Sequence, residues 1–182
     1  GSNGPPMNRR LFLALLPFAA SLIGCGTSTN PALSNPQQVV RLGVLAPLDG
    51  GLVEFGRGIR NSVQLAVNQA NASGQFAGVR FEVAARDDSS DPQVGVVSAQ
   101  SLANDPLVVG VVGTYNSGVA SAVLPIFQDA SLLMISPGNT DPTLTRGTNP
   151  SNPVRPHFNY FRLVVPDSVQ GEVLARHSFQ VL

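Results

Sequence analysis

The sequence predicts an α/β fold built on a doubly wound parallel sheet, and three observations carry this prediction. From about residue 39 onward, apolar runs of strand length alternate with longer segments whose apolar residues recur every three or four positions. The run 107–112 is apolar throughout, as expected of a parallel strand buried on both faces. Turn-forming residues separate the segments, and this strand-helix alternation favours a parallel sheet with helices packed on its faces.

The first half of the folded part contains two strand-helix units. Residues 39–48 predict the first strand, and residues 55–72 predict a helix with one apolar stripe. Residues 79–85 alternate apolar and polar side chains, which predicts the second strand. Asp91 and Pro92 then open the next helix, because an acidic cap accepts free amides and a proline in the first turn loses no hydrogen bond.

The second half continues the alternation. Its predicted elements are a third strand at 107–112, a helix from Ser117 to Ala130, a fourth strand at 132–135, a short turn or helical piece at 141–144, a fifth strand at 159–165 and a last helix at 167–182. Three prolines together with several Asn and Gly residues predict a surface loop at 146–158.

Two loops of the predicted sheet carry polar groups to one edge, and we expect their hydroxyls to be exposed. The third strand leads to Ser117 and the fourth leads to Thr140. Neighbouring parallel strands present their carboxyl ends at the same edge, where open α/β sheets bind ligands. Amides at the helix start near Ser117 add partial positive charge, which suits a carboxylate or another small acceptor group. A helix cap at Ser117 and a turn residue at Thr140 remain open alternatives.

The other chemical patterns point to structure and not to catalysis. The acidic cluster 87–91 lacks the central glycine and distal glutamate of a calcium loop, so capping and solvation explain it better. His157 and His177 have no nearby carboxylate or nucleophile pattern. Residues 110–113 lack the third glycine of a nucleotide fingerprint, and Ser117 does not lie in a nucleophile elbow. We therefore expect no metal, no cofactor and no enzymatic activity.

The amino-terminal residues predict export. Residues 7–24 form a short basic region followed by an apolar run that is too short for a membrane span, which takes about 20 residues. They resemble the signal peptide and lipobox of bacterial lipoproteins, which implies that Cys25 is lipidated as the first residue of the mature protein. A plain signal peptide with an incidental cysteine is the alternative. Residues 1–6 precede the plausible start and take no part in the fold prediction.

Residues 25–38 predict a flexible tether, because they are rich in Gly, Ser, Thr, Asn and Pro and lack apolar periodicity. Removal of the signal would leave nine basic residues, all Arg, against eleven acidic ones, a net charge of −2. No basic patch for nucleic acid remains, so we expect no nucleic-acid partner.

Five motifs in order resemble the branched-chain amino-acid-binding proteins of ABC importers, over residues 39–182. The motifs are Gly43–Leu48, Phe55–Gly58, Arg86–Asp88 with Asp91–Pro92, Leu133–Pro137 with Thr140, and Tyr160–Arg162 with Asp167 and Gln170–Gly171. The resemblance implies the type I periplasmic-binding-protein fold, in which two lobes close about a hinge on an α-amino acid.

The resemblance also implies roles for individual residues. Ser117 would donate its hydroxyl and amide to the ligand carboxylate, and the Gly138 carbonyl would accept from the ammonium group. Thr140 would contact the same end of the ligand, and Phe55 would cover its side chain. The predicted site is completed by the loop residues Tyr115, Asn116 and Asn139.

The implied function is that of an extracytoplasmic, lipid-anchored protein that captures a branched-chain or related amino acid for the permease of an ABC importer. A receptor domain that senses amides, urea-type compounds or other small polar metabolites is the alternative, and a carboxylate-processing enzyme is a distant third. We expect residues 39–165 to form a first, incomplete ligand-binding lobe and residues 166–182 to begin a second. The resemblance thus predicts the amino-terminal part of a longer protein.

Overall fold

The computed structural model describes residues 37–181, so the predicted signal peptide and Cys25 lie outside the described residues. The strands are β1 Gln38–Ala46, β2 Val79–Asp87, β3 Val108–Gly113, β4 Leu133–Ser136 and β5 Tyr160–Arg162. The helices are α1 Val53–Ala72, α2 Pro92–Ala103, α3 Ser117–Asp129, α4 Thr143–Arg146 and α5 Asp167–Val181. The predicted order of strands and helices is confirmed, and residues 147–158 contain neither a helix nor a strand.

The five strands form one sheet in the order β2-β1-β3-β4-β5, and every neighbouring pair is parallel. The predicted parallel α/β sheet is therefore confirmed. The chain moves from β1 to β2 on one side and then returns to β3 on the other side of β1. The carboxyl ends of β1 and β3 consequently flank a topological switch point, the place where open sheets of this kind form a ligand crevice.

The core has one layer on each face of the sheet, as doubly wound topology requires. On one face α2 and α3 cover a cluster that includes Leu102, Phe127 and Met134. On the other face α1 inserts Val63 and Val67 against Val44 and Ala46 of β1. Full burial of a side chain such as Leu or Phe contributes roughly 1.5 to 3 kcal/mol, so these layers hold the helices in place and fix where the loops between them emerge.

Strand β3 departs from the prediction of a strand buried on both faces. Arg41 of β1 pairs with Val108, while the next residue, Leu42, pairs with Gly110. Val109 is the extra residue of this bulge and is 53% exposed, whereas Val108 and Val111 are buried. A bulge leaves one residue without a place in the ladder and changes which side chains face the core, and an apolar run does not reveal it.

The predicted ends of the first and fifth strands are also wrong. Strand β1 ends at Ala46 because Pro47 has no amide to donate, and the Leu48 amide instead donates to Asp87 Oδ1 at 2.7 Å. Strand β5 ends at Arg162, well before the predicted end at residue 165. The chain then leads into α5, in which none of the described residues is buried.

None of the helices within residues 37–181 combines the length and apolar character needed to cross a membrane.

Candidate functional site at the carboxyl edge of the sheet

An aromatic pair lies at the switch point, where the start of α1 meets the loop after β3. The rings of Phe55 and Tyr115 are stacked, with centroids 4.7 Å apart and planes 22° apart. Gly56 makes this approach possible, since a Cβ there would lie 1.8 Å from the carbonyl oxygen of Pro47. Phe55 is 53% exposed and therefore presents apolar surface at the edge.

The loop after β4 packs against Tyr115 of this pair. A Cβ on Gly138 would lie 2.8 Å from Cδ2 of Tyr115, so only glycine allows the tyrosine ring to rest on this loop. Two predicted site residues, Phe55 and Gly138, thus lie against a third, Tyr115, although the three come from α1, the loop after β4 and the loop after β3.

The amino terminus of α3 is open toward this edge. Asn116 occupies the cap position, but its side chain makes no capping bond, and the first turn contains no acidic residue. Among residues 37–181, the amides of Ser117, Gly118 and Val119 have no hydrogen-bond acceptor. The first amide of α3 that donates a hydrogen bond is that of Ala120. Unpaired amides and the helix dipole together make this end a favourable place for an anion.

Ser117 does not cap the helix, which excludes that interpretation of the sequence. It is the first residue of α3, and its hydroxyl oxygen accepts from the Asp141 amide at 3.4 Å. This weak contact links α3 to the segment after Thr140. Ser117 and Thr140 are both half-buried.

Two further residues at the edge that carry hydroxyls, Thr114 and Ser136, are wholly buried, contrary to the expectation of exposed hydroxyls. The Ser136 hydroxyl donates to the Thr114 carbonyl at 2.8 Å, while its oxygen accepts from the amides of Gly138 at 3.1 Å and Asn139 at 2.9 Å. Ser136 therefore ties the loop after β4 to the loop after β3. Sequence reasoning missed this role because a serine at a strand end gives no sign of its long-range partner.

Asn139, one of the predicted ligand-binding residues, is also wholly buried. Its Nδ2 donates to the carbonyls of Thr114 at 3.1 Å and Tyr115 at 3.0 Å, and its Oδ1 accepts from the Tyr160 hydroxyl at 3.1 Å. All of its polar atoms are used inside the protein. The structure places this side chain behind the site and not on its open surface.

Arg162 and the start of α5 hold the same loop from the other side. Nη1 of Arg162 donates to the carbonyls of Asn139 at 3.2 Å and Asp141 at 2.8 Å. The Asp167 amide donates to the Thr140 carbonyl at 2.9 Å. The backbone around Thr140 is thus fixed on both sides.

Several polar groups remain free after these internal bonds are counted. Within residues 37–181, neither the Thr140 hydroxyl nor the Gly138 carbonyl has a hydrogen-bond partner. Oδ1 of Asn116 is buried and also lacks a partner among these residues. With the open amides of α3, the edge offers donors suited to a carboxylate and acceptors suited to an ammonium group.

The acidic loop, residues 87–91, lies at the same edge but uses its carboxylates within the protein. Asp87 accepts from the Leu48 amide and from the amide and hydroxyl of Ser89. Burial alone would raise the pKa of Asp87, but the hydrogen bonds from Ser89 and Leu48 outweigh burial and lower it. Asp91 caps α2 by accepting from the amides of Gln93 at 2.7 Å and Val94 at 3.1 Å, as predicted.

Asp88 is the exception in the acidic loop. It is wholly buried, its Oδ1 accepts from the Ser90 amide at 2.9 Å, and its Oδ2 has no partner among the described residues. Burial, with a smaller effect from the charge of Asp87, raises the pKa of Asp88 to about 6. Residues 37–181 contain no group of three or more His, Cys, Asp or Glu side chains that could hold a metal ion.

A groove beside α1 and the two histidines include none of the predicted site residues. A groove of about 520 Å³ separates α1 from β2 and is lined by polar side chains such as Gln64, Asn68 and Glu82. Nδ1 of His157 lies 3.0 Å from Oε1 of Gln128, and burial lowers the pKa of this histidine. His177 is an exposed residue of α5. None of the predicted site residues lines the groove between α1 and β2.

Comparison with protein families and sequences gives a consistent result. The family described as periplasmic binding protein matches residues 39–181. The chain is 36% identical to Leu/Ile/Val-binding protein homolog 2 from Brucella abortus over 76% of its length. It is 31% identical to Leu/Ile/Val-binding protein BraC3 from Rhizobium johnstonii, also over 76%. In both comparisons the match covers 35% of the relative, so the chain spans about a third of the length of these curated relatives.

Solved structures show the same architecture. The branched-chain amino acid transporter substrate binding protein LivJ from Streptococcus pneumoniae, in complex with isoleucine, has a TM-score of 0.67 and 26% identity and covers 77% of this chain and 38% of its own. A periplasmic binding protein type 1 from Bordetella pertussis has a TM-score of 0.65 and 30% identity, covering 76% and 38% respectively. These matches confirm the predicted fold, and the relatives named are binding proteins, not enzymes.

Proposed function

This chain belongs to the periplasmic binding protein family, and we propose that it contributes the first lobe of an extracytoplasmic receptor that captures a branched-chain or related amino acid for an ABC importer. The observation that carries the proposal is the open amino terminus of α3, which faces the loop of Thr140 at the switch point and has no acidic residue in its first turn. The names of the Leu/Ile/Val-binding relatives support the choice of ligand.

The charged end of the amino acid lies between the loops after β3 and β4. The free amides of Ser117 and Gly118 and the Ser117 hydroxyl donate to the ligand carboxylate, since a carboxylate accepts from several donors at once. The Gly138 carbonyl accepts from the ligand ammonium, and Thr140 contacts the same end. Among residues 37–181, the two amides, the Gly138 carbonyl and the Thr140 hydroxyl have no internal partner, and the Ser117 hydroxyl accepts a bond from Asp141 but donates none, which supports this assignment.

The apolar end of the ligand lies against the aromatic pair. Phe55 offers a half-exposed ring at the switch point, and Tyr115 holds that ring in place by stacking. Apolar surface that is removed from water contributes roughly 25 cal/mol per Å², without strong directional preference. This apolar wall therefore determines how affinity depends on the ligand side chain, while the loops bind the carboxylate and ammonium groups that all α-amino acids have. Asn116 lines the loop between the two parts of the site.

The described edge gives the ligand one wall, and a second lobe supplies the other. Residues 39–165 form the first lobe and residues 166–182 begin the second, a division supported by α5, none of whose described residues is buried. A good ligand pocket buries about 70 to 90% of the ligand surface, which one wall does not achieve. The receptor is anchored outside the cytoplasm by lipid on Cys25, which lies outside the described residues, and it delivers its ligand to a permease.

Calorimetric titration of the protein as the gene encodes it tests the proposed ligand class. We expect leucine to bind, and both leucinamide and 4-methylpentanoate to bind at least tenfold more weakly, because each lacks one charged group of the amino acid. Equal binding of leucine and either analogue would exclude recognition of the α-amino carboxylate. Mass spectrometry of the membrane-extracted protein tests the anchor, which requires a diacylated residue at position 25.

A further inference from the structure

We propose that Asn139 is a positioning residue that sets the spacing of the two ligand-binding loops and thereby the affinity for every amino acid, without touching the ligand. This inference rests on the proposed function for its effect on binding. Its structural basis is a single buried carboxamide, located in the loop after β4, that donates to two consecutive carbonyls of the loop after β3.

The two carbonyls belong to Thr114 and Tyr115, the residues that lead directly into the amino terminus of α3. Asn139 itself stands between Gly138 and Thr140, which carry the free acceptor and hydroxyl. Asn139 therefore joins the donor and acceptor sides of the site, and it is the side chain that holds the carbonyl of Tyr115 as well as that of Thr114. Its removal leaves the Tyr115 carbonyl without its donor and the Thr114 carbonyl with the Ser136 hydroxyl alone, which loosens the link between the loops.

Tyr160 fixes the orientation of this carboxamide. The ring of Tyr160 is wholly buried, and its hydroxyl donates to Oδ1 of Asn139 at 3.1 Å. With Oδ1 held by a donor, Nδ2 must point toward the two carbonyls. A buried network in which every group has its partner is rigid, and rigid prior placement of binding groups raises affinity by lowering the cost of ordering them.

The chain contains a matched control in Asn159. Like Asn139 it is a buried asparagine, and its Nδ2 donates to the Leu132 carbonyl at 2.5 Å. Asn159 and Leu132 immediately precede β5 and β4, so this bond joins β4 to β5 at their amino ends, away from the site. A loss of general stability and a loss of positioning can therefore be separated.

The test compares Asn139→Ala, Tyr160→Phe and Asn159→Ala in the protein as the gene encodes it. Denaturant unfolding reports stability, and calorimetry with leucine, valine and alanine reports the affinity of the folded protein. We expect at least tenfold weaker binding of all three amino acids by Asn139→Ala, at least threefold by Tyr160→Phe, and less than a twofold change by Asn159→Ala at a similar loss of stability. Affinity within twofold of wild type in folded Asn139→Ala protein would overturn the proposal.

Hydrogen exchange of the ligand-free protein gives a second measurement that needs no ligand. Asn139→Ala should raise exchange at the amides of Ala120 and Asp141 at least tenfold, while Asn159→Ala leaves them within twofold. If wild-type protein binds no amino acid, the proposed function fails, and exchange alone decides whether Asn139 positions the loops. If Asn139→Ala does not fold, Tyr160→Phe takes its place, with at least threefold effects expected and unchanged affinity and exchange counting against the proposal.

Discussion

The acidic loop and the two binding loops, residues 114–117 and 138–140, lie at the same edge of the sheet and are similarly polar, yet they use their polar groups in opposite ways. Carboxylates of the acidic loop accept from neighbouring amides, as Asp91 does at the start of α2. The binding loops satisfy one another through Ser136 and Asn139 and leave the amino terminus of α3 open. Polar character at a sheet edge therefore does not identify a site, whereas polar groups that are free and open at the edge do.

Asp88 sharpens this comparison, because it is the one carboxylate of the acidic loop with a buried, unpaired oxygen. Its raised pKa of about 6 means that the folded protein binds a proton more tightly than the unfolded chain does. The contribution of Asp88 to the free energy of unfolding is fully present below the ordinary aspartate pKa of 3.8 and is lost as pH rises through about 6. The loop that serves structure is thus also the one whose stability depends on pH.

Asp88→Asn is expected to have the largest effect. Removing the buried charge should stabilise the protein at pH 7 by up to about 3 kcal/mol, the free energy that corresponds to the pKa shift at about 1.36 kcal/mol per unit. The difference in the free energy of unfolding between the variant and the wild type should shrink as pH falls from 6 toward 4. Urea unfolding across this range measures it, with the exposed Asp129→Asn as control. A difference that is independent of pH would show that Asp88 is not the titrating group.

Ser117→Ala and Thr140→Ala should come next, because these hydroxyls are assigned to the charged end of the ligand. A hydrogen bond to a charged group contributes roughly 1.5 to 3 kcal/mol, which corresponds to about a 10- to 150-fold loss of affinity. The order of preference among amino acids should not change. Calorimetry should find normal affinity for Ser121→Ala, which alters an exposed serine one turn along α3. Affinities within about twofold of wild type would instead assign both hydroxyls to loop structure alone.

Phe55→Ala should have the smallest effect, and it should act on ligand preference. The substitution removes the ring stacked on Tyr115 and the apolar cover at the switch point, a change of roughly 0.5 to 1.5 kcal/mol for the aromatic contact. We expect leucine to lose more affinity than alanine does. Phe76→Ala is the control, since Phe76 is similarly exposed and packs edge-on against Phe81 elsewhere in the molecule. An equal loss for both ligands would remove Phe55 from the selective wall.

The sequence was sufficient to predict the alternating strands and helices, because the periods of apolar residues and the Asp91 cap are local signals. It was also sufficient to predict that Ser117 and Thr140 lie at one edge of the sheet, because neighbouring parallel strands end at the same edge. It could not predict the bulge at Val109, which depends on register with β1. The burial of Asn139 depends on Thr114 and Tyr160, each more than twenty residues away. Local sequence does not reveal these partners, so it predicted this loop asparagine as part of the ligand site.

The most direct test of the comparison is a nuclear magnetic resonance titration of the protein with leucine. The free amides of Ser117 and Gly118 should shift strongly, with that of Thr140, while the amides of Ser90 and Gln93, which donate to carboxylates of the acidic loop, should stay within experimental error. This result would identify the binding loops as the ligand site. Shifts centred on residues 88–93, or no shifts at all at millimolar leucine, would contradict the account.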